Sequence, residues 1–123
     1  MKLKDDFFKI LNINKYSDKI EYTVQLDAAH PIYRYHFPEN PVTPGVCIIQ
    51  TVKELVAENV DSGLFLQKIA RIRYFRVINP VDNPIISVSL DISDVEGGYN
   101  VAATVFSGET VFSQLSLLFI ITN

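Results

Sequence analysis

The sequence predicts an α+β fold in which a curved antiparallel sheet wraps around one long central helix. Three observations predict it. Between residues 45 and 60, Val46, Ile49, Val52, Val56 and Val60 recur at helical spacing, and Ile48 and Leu55 widen the apolar stripe. About five other segments alternate or are rich in β-branched and aromatic residues, as strands are. The last three of these are joined by short connections, which makes them antiparallel neighbours. A single helix this apolar needs cover on most sides, and a sheet that curls round it supplies that cover. The 123 residues contain no repeat, low-complexity tract or linker, so residues 1–123 read as one domain.

In chain order, residues 5–11 ("DDFFKIL") open on acids that suit a helix N-terminus and predict a short helix. Residues 20–26 alternate, with Ile20, Tyr22, Val24 and Leu26 on one face and Glu21, Thr23 and Gln25 on the other, which is the pattern of a half-buried strand. A proline-punctuated irregular segment follows over 28–44. Thr43 is the expected N-cap of the long helix, Pro44 suits its first position, and Gly63 is the expected stop. Residues 69–78, 85–92, 99–106 and 111–121 read as strands, with "DVEGGYN" and "SGET" as turns between the last three.

Composition narrows the function. The chain is 48% hydrophobic, enough for a real core, and carries a net charge of −3. An acidic pI near 5.2 argues against a nucleic-acid partner, since little here would neutralise a phosphate backbone. No apolar run reaches the ~20 residues of a membrane span, and the N-terminus lacks the apolar region of a secretory signal. The expected compartment is the cytoplasm. The single cysteine, Cys47, sits among apolar residues and reads as a buried small hydrophobe.

The segment "YRYHFPENPVTPGVCIIQ", residues 33–50, carries the most specific signal. It resembles the signature of the β-hydroxyacyl-acyl-carrier-protein dehydratases of fatty-acid synthesis, which runs roughly G-H-F-P-x-x-P-V-x-P-G-V with a catalytic acid fourteen residues after the histidine. The matching residues are His36, Phe37, Pro38, Pro41, Val42, Pro44, Gly45 and Val46, eight positions within eleven in fixed register. "RVINPV", residues 76–81, weakly resembles a second segment of that family. The resemblance implies a hotdog fold and a dimer whose two sheets join into one. The site would then lie at the subunit interface, with the histidine from one subunit and the acid from the central helix of the other. It implies a (3R)-hydroxyacyl thioester on an acyl carrier protein or coenzyme A as substrate, loss of water to give a trans-2-enoyl thioester, and neither metal nor redox cofactor.

The residues themselves agree with part of this chemistry. Elimination needs a base for the C2 proton, a donor for the charge on the thioester oxygen, and an acid for the departing hydroxyl. His36 fits the base, because imidazole with a pKa near ~6.5 is available in its neutral form; the other reading is a histidine that ties down the loop. Gly45 fits the oxyanion donor, because the first turn of a helix has free N–H groups and a partial positive charge, and glycine leaves them approachable. It is equally a helix-starting turn, and the two readings are compatible. Gln50 occupies the acid position. A carboxamide can hold a hydroxyl or water but has no proton acidic enough to give up. Tyr35 stands where the family has glycine and is expected to narrow the acyl tunnel. Tyr35, Phe37, Pro44 and Val46 are the residues expected around the acyl group.

His30, before a proline, reads as surface or structural, and Asp27 and Glu39 either orient the His36 imidazole or are solvated. Lys68, Arg71, Arg73 and Arg76 form the only basic cluster of an acidic chain, and read either as a docking patch for an acidic carrier protein or as a solvated strand face. Three functional readings stay open: a dehydratase of this family, acting slowly or with its acid from another group; a non-catalytic or half-site subunit that lends His36 to a related partner in a heterodimer; and a hotdog acyl thioesterase.

Overall fold

Six strands and one helix account for most of the chain in the computed structural model, which describes residues 2–35 and 39–122. The strands are β1 (Phe8–Lys15), β2 (Ile20–Leu26), β3 (Gly63–Tyr74), β4 (Ile85–Val95), β5 (Gly98–Ser107) and β6 (Thr110–Thr122), and the helix α1 (Gly45–Ala57) lies between β2 and β3 in sequence. All pairings are antiparallel, in the order β1-β2-β4-β5-β6-β3. This is the hotdog architecture.

The alternation read in the sequence decides which sheet face meets the helix. Tyr22, Val24 and Leu26 of β2, Ile86, Val88 and Leu90 of β4, Val101, Ala103 and Val105 of β5, and Leu115, Leu117 and Phe119 of β6 are all buried in one cluster. Register aligns them into rows across the sheet, such as Ile20–Leu90–Ala103–Leu115–Ile72. Against these rows α1 packs Cys47, Ile48, Val52, Leu55 and Val56. Cys47 is fully buried, and burial pushes its thiol pKa up, as suits a small apolar residue.

The glycines that open β5 and its flanking turns have distinct causes. Gly97 and Gly108 sit at positive φ, 77° and 57°, in the two hairpin turns. Gly98 has no room for a side chain, because a Cβ would run into the Phe119 carbonyl.

Several expectations are corrected. Residues 5–11 form no helix: the Asp6 and Phe7 N–H groups turn back to the Leu3 carbonyl, and from Phe8 the chain runs as β1, with Phe8 opposite Leu26 and Ile10 opposite Val24. The Phe7–Phe8 doublet that looked helical is buried on both sides of this turn, so pairing with β2 overrides the local preference. The sheet therefore has six strands rather than about five. The helix stops at Ala57 instead of residue 60, where Asn59 donates from its side chain to the Leu55 carbonyl and the Tyr22 hydroxyl. Gly63 starts β3 rather than ending the helix. Pro44, not Thr43, is the N-cap residue, and no side chain caps the helix. β3 begins earlier than expected and leaves the sheet after Tyr74, where the Phe75 and Arg76 N–H groups both reach the Phe112 carbonyl.

One side of α1 is also less covered than predicted. Val46 is 64% exposed, and Ile49 is only partly buried. β3 forms one edge of the sheet and shows Phe65, Ile69 and Tyr74 to solvent. Among the described residues, no helix is long and apolar enough to cross a membrane.

Candidate active site

The loop that carries the motif is pinned at both ends. On its N-terminal side, His30 caps a 3-10 turn, Pro31–Arg34. The Ile32 N–H donates to His30 Nδ1, so the ring proton sits on Nε2, which faces Asp6 Oδ2 at 3.1 Å. His30 is thus structural. Tyr33 is buried, stacks on Phe7 and shares a 3.0 Å hydrogen bond with the Thr43 hydroxyl. Burial pushes the Tyr33 phenol up to about 12. On the C-terminal side, the Thr43 N–H donates to the Ile78 carbonyl and the Asn79 side chain donates to Asn40 Oδ1. Between these anchors, His36, Phe37 and Pro38 lie outside the described residues.

The helix start opens on an open cavity of about 220 Å³. Pro44 and Gly45 line it together with Thr43, Ile48, Tyr74 and Arg76. The Cys47 and Ile48 N–H groups both turn to the Pro44 carbonyl, at 3.0 and 3.2 Å. The N–H groups of Gly45 and Val46 come before any intrahelical acceptor and project from the first turn. A Cβ on Gly45 would stand 2.6 Å from the Tyr74 hydroxyl. The phenol is therefore laid over the glycine, and partial burial raises its pKa.

Gln50 lies elsewhere on the helix and does not line this cavity. Its Nε2 donates to Glu54 Oε2 at 2.9 Å. Glu54 in turn accepts the Leu3 N–H at 2.8 and 3.0 Å and the Lys4 N–H at 2.8 Å. One turn further along, Glu58 pairs with the Lys4 ammonium at 2.8 Å. Within one chain, the helix start and position 50 are thus separate features.

Of the other expected residues, Tyr35 is 81% exposed and Val46 stands on the open helix face. The basic cluster is divided: Arg71 and Arg73 border a shallow groove on the sheet over Ala102, Thr104, Gln114 and Ser116, whereas Arg76 lines the cavity at Gly45. Asp27 accepts the Ala29 N–H in its own turn. Sequence reasoning missed Tyr74, Glu54 and the Tyr33–Thr43 bond. Only Glu54 had a readable signal, since it lies four residues beyond Gln50 and so on the same helical face.

Residues 12–113 match the ApeI-like family, described as ApeI dehydratase. The chain belongs to that family. It is also 30% identical over 101 residues to the 3-hydroxyacyl-[acyl-carrier-protein] dehydratase FabZ of Caldanaerobacter subterraneus subsp. tengcongensis, covering 76% of this chain and 70% of the relative. Among solved structures, the dehydratase heterocomplex ApeI:P from Xenorhabdus doucetiae superposes with a TM-score of 0.71 at 15% identity, over 90% of this chain and 96% of that one. A protein of unassigned function from Erwinia carotovora subsp. atroseptica superposes at 0.67 with 17% identity, over 91% and 92%. Both structural likenesses bear out the hotdog fold expected of an ApeI-like dehydratase.

Proposed function

We propose that this ApeI-like protein binds (3R)-hydroxyacyl thioesters, on an acyl carrier protein or coenzyme A, and eliminates water to give trans-2-enoyl thioesters. The observation that carries the reading is Gly45 at an uncapped helix start that opens on a cavity, nine residues after the motif histidine. His36 takes the C2 proton, and the Gly45 N–H receives the charge that develops on the thioester oxygen. Gln50 holds the 3-hydroxyl or a water. The departing hydroxyl needs a proton that a carboxamide cannot give, and the imidazolium formed at His36 in the first step is acidic enough to return one. Tyr35, Phe37, Pro44 and Val46 border the acyl group, and Lys68, Arg71, Arg73 and Arg76 offer positive charge to an acidic carrier.

The test is direct. Purified protein converts 3-hydroxyacyl thioesters to enoyl thioesters, read by absorbance of the conjugated product, and His36→Ala abolishes turnover. Silence of both the wild type and Gln50→Glu would overturn the reading.

A second reading is favoured by Gln50 at the acid position together with the bare β3 edge and the open helix face at Val46. Here the chain is one half of a pair: it lends His36 and Gly45 to a related hotdog subunit that brings a carboxylate. The related solved structure is itself a heterocomplex, by its own description. Mixing with an acid-bearing homologue then creates activity that depends on His36 of this chain; exclusive homodimers in the mixture would remove the reading. A thioesterase draws no such support, because among the described residues no carboxylate lines the cavity at Gly45 to activate water.

A further inference from the structure

Tyr74 is the last residue of β3 and stands two places after Ile72, which packs against the core. Side chains two apart share a face of the sheet, so Tyr74 is carried toward α1 as well. Its partner across the ladder, Ser113, is fully buried. The strand ends at Tyr74, and the ring reaches over the helix start. Its hydroxyl stands 2.6 Å, and its Cζ 3.0 Å, from the point that a Cβ on Gly45 would take. The missing side chain at position 45 is what leaves room for the phenol.

The cavity at the helix start therefore holds two neighbouring donors. Neither the Gly45 N–H nor the Tyr74 hydroxyl has a hydrogen-bond partner among the described residues. The other hydroxyl lining this cavity, that of Thr43, is engaged by Tyr33. A backbone nitrogen stands ~2.5 Å from its own Cβ in standard geometry, so the phenol oxygen lies within about 5 Å of the Gly45 nitrogen. Two donors that each stand ~2.9 Å from one shared oxygen are at most ~5.8 Å apart. The separation thus allows both to close on a single acceptor. Val42, Pro44, Ile48, Val77 and Ile78 make most of the wall, and apolar surroundings strengthen such bonds. Partial burial raises the phenol pKa, so the hydroxyl keeps its proton at neutral pH.

We propose that the Tyr74 hydroxyl is a catalytic residue, the second donor beside the Gly45 N–H to the carbonyl oxygen of a bound acyl thioester. This rests on the reading of the helix start as the place that receives that oxygen, and it completes the oxyanion site with a side chain. The phenol donates a hydrogen bond and transfers no proton. Its bond strengthens as charge moves onto the oxygen when the C2 proton leaves, which is when a donor aimed there lowers the barrier. Arg76, on the wall of the same cavity, adds positive charge nearby.

The experiment reads the bond without requiring turnover. The probe is a butyryl thioester carrying carbon-13 at its carbonyl, on coenzyme A and on an acyl carrier protein. It has no 3-hydroxyl and cannot eliminate water. Bound to the wild type, its carbonyl stretch falls below that of the free thioester, because two hydrogen bonds weaken the C=O bond. In Tyr74→Phe, which keeps the ring and loses only the hydroxyl, the stretch moves part of the way back. With a 3-hydroxyacyl thioester, Tyr74→Phe lowers kcat by ~10²-fold, with KM and Tm little changed. In the wild type alone, the Tyr74 Cζ resonance shifts when the butyryl thioester is added, a readout that does not depend on whether a variant folds. An equal stretch in both proteins, a kcat within twofold of the wild type, or a Tyr74 resonance indifferent to the thioester overturns the proposal. So does a butyryl thioester that binds on neither carrier. If turnover is found and ignores Tyr74→Phe, the dehydratase reading stands and the role of Tyr74 falls. If the stretch shifts as expected and no 3-hydroxyacyl thioester is turned over, the dehydratase reading fails and Tyr74 stands as a thioester ligand.

Discussion

The Tyr74 hydroxyl lies over Gly45, in the space a side chain at position 45 would fill. The contact joins the last residue of β3 to the first residue of α1, and it makes the structural and chemical uses of this glycine separable. Gly45→Ala puts a methyl group 2.6 Å from the phenol oxygen. That oxygen is the far end of a half-exposed side chain and can move aside. Alanine is also the better helix former by ~1 kcal/mol. The expected outcome is an unchanged or slightly raised Tm with a loss of turnover of tenfold or more, because the methyl crowds the amide that receives the thioester oxygen. A large fall in Tm would mean that the glycine is needed for folding alone.

The Tyr33–Thr43 bond holds the two ends of the motif loop together. Thr43→Val leaves a buried phenol without its partner, which costs ~1–3 kcal/mol. Tyr33→Phe in addition removes the orphan, so the double variant is less destabilised than the sum of the single ones. Urea unfolding of the four proteins measures the coupling; strict additivity would show that the bond does not brace the loop.

Alkaline pH tests the same residue. The folded chain holds the Tyr33 proton up to about 12, against an ordinary ~10 in the unfolded chain. The folded pKa is the higher one, so the stabilisation is whole below pH ~10 and is lost as pH rises through 12. Tyr22 and Tyr74 are shifted the same way by burial and add to the slope. Tm scans from pH ~8 to ~12 should fall above ~10, and fall less steeply in Tyr33→Phe.

Ser113 is fully buried on β6, and its hydroxyl has no hydrogen-bond partner among the described residues. Ser113→Ala removes a desolvated polar group and should stabilise the chain by about 1 kcal/mol. A destabilised alanine variant would show that the hydroxyl is engaged after all.

The β3 edge presents unpaired backbone and three large apolar side chains, Phe65, Ile69 and Tyr74. Sedimentation should find the chain associated in pairs at micromolar concentration. Phe65→Glu with Ile69→Lys should release a monomer of unchanged circular dichroism. A monomeric wild type that also stays monomeric beside a related hotdog subunit would remove the shared site.

Much of this was legible before the structure. Period-2 alternation found β2 and β4 within a few residues, because each has one face against the helix, and the turns "DVEGGYN" and "SGET" marked off β5 and β6. β1 was missed because a pair of phenylalanines after two acids mimics a helix start; only its partner strand reveals it as an edge. The helix was clear from its stripe, but Thr43 was assigned to the cap by residue type, and nothing local shows that Tyr33 claims its hydroxyl. For the site, the motif pointed to Gly45, which lines the cavity at the helix start, and to Gln50, which does not. It could not place Tyr74 or the Leu3–Lys4 segment, since both reach α1 from distant parts of the chain.

β4, β5 and β6 meet their neighbours across tight turns at Gly97 and Gly108, whereas Gly63 at the head of β3 pairs with Thr122. On the ribosome, β3 therefore emerges long before β6, the strand it pairs with. Through that interval its apolar side chains have no cover, and loop closure over so many residues is slow. Nascent chains halted before β6 should be the ones that proteases cut and chaperones hold, and those halted after it should escape both.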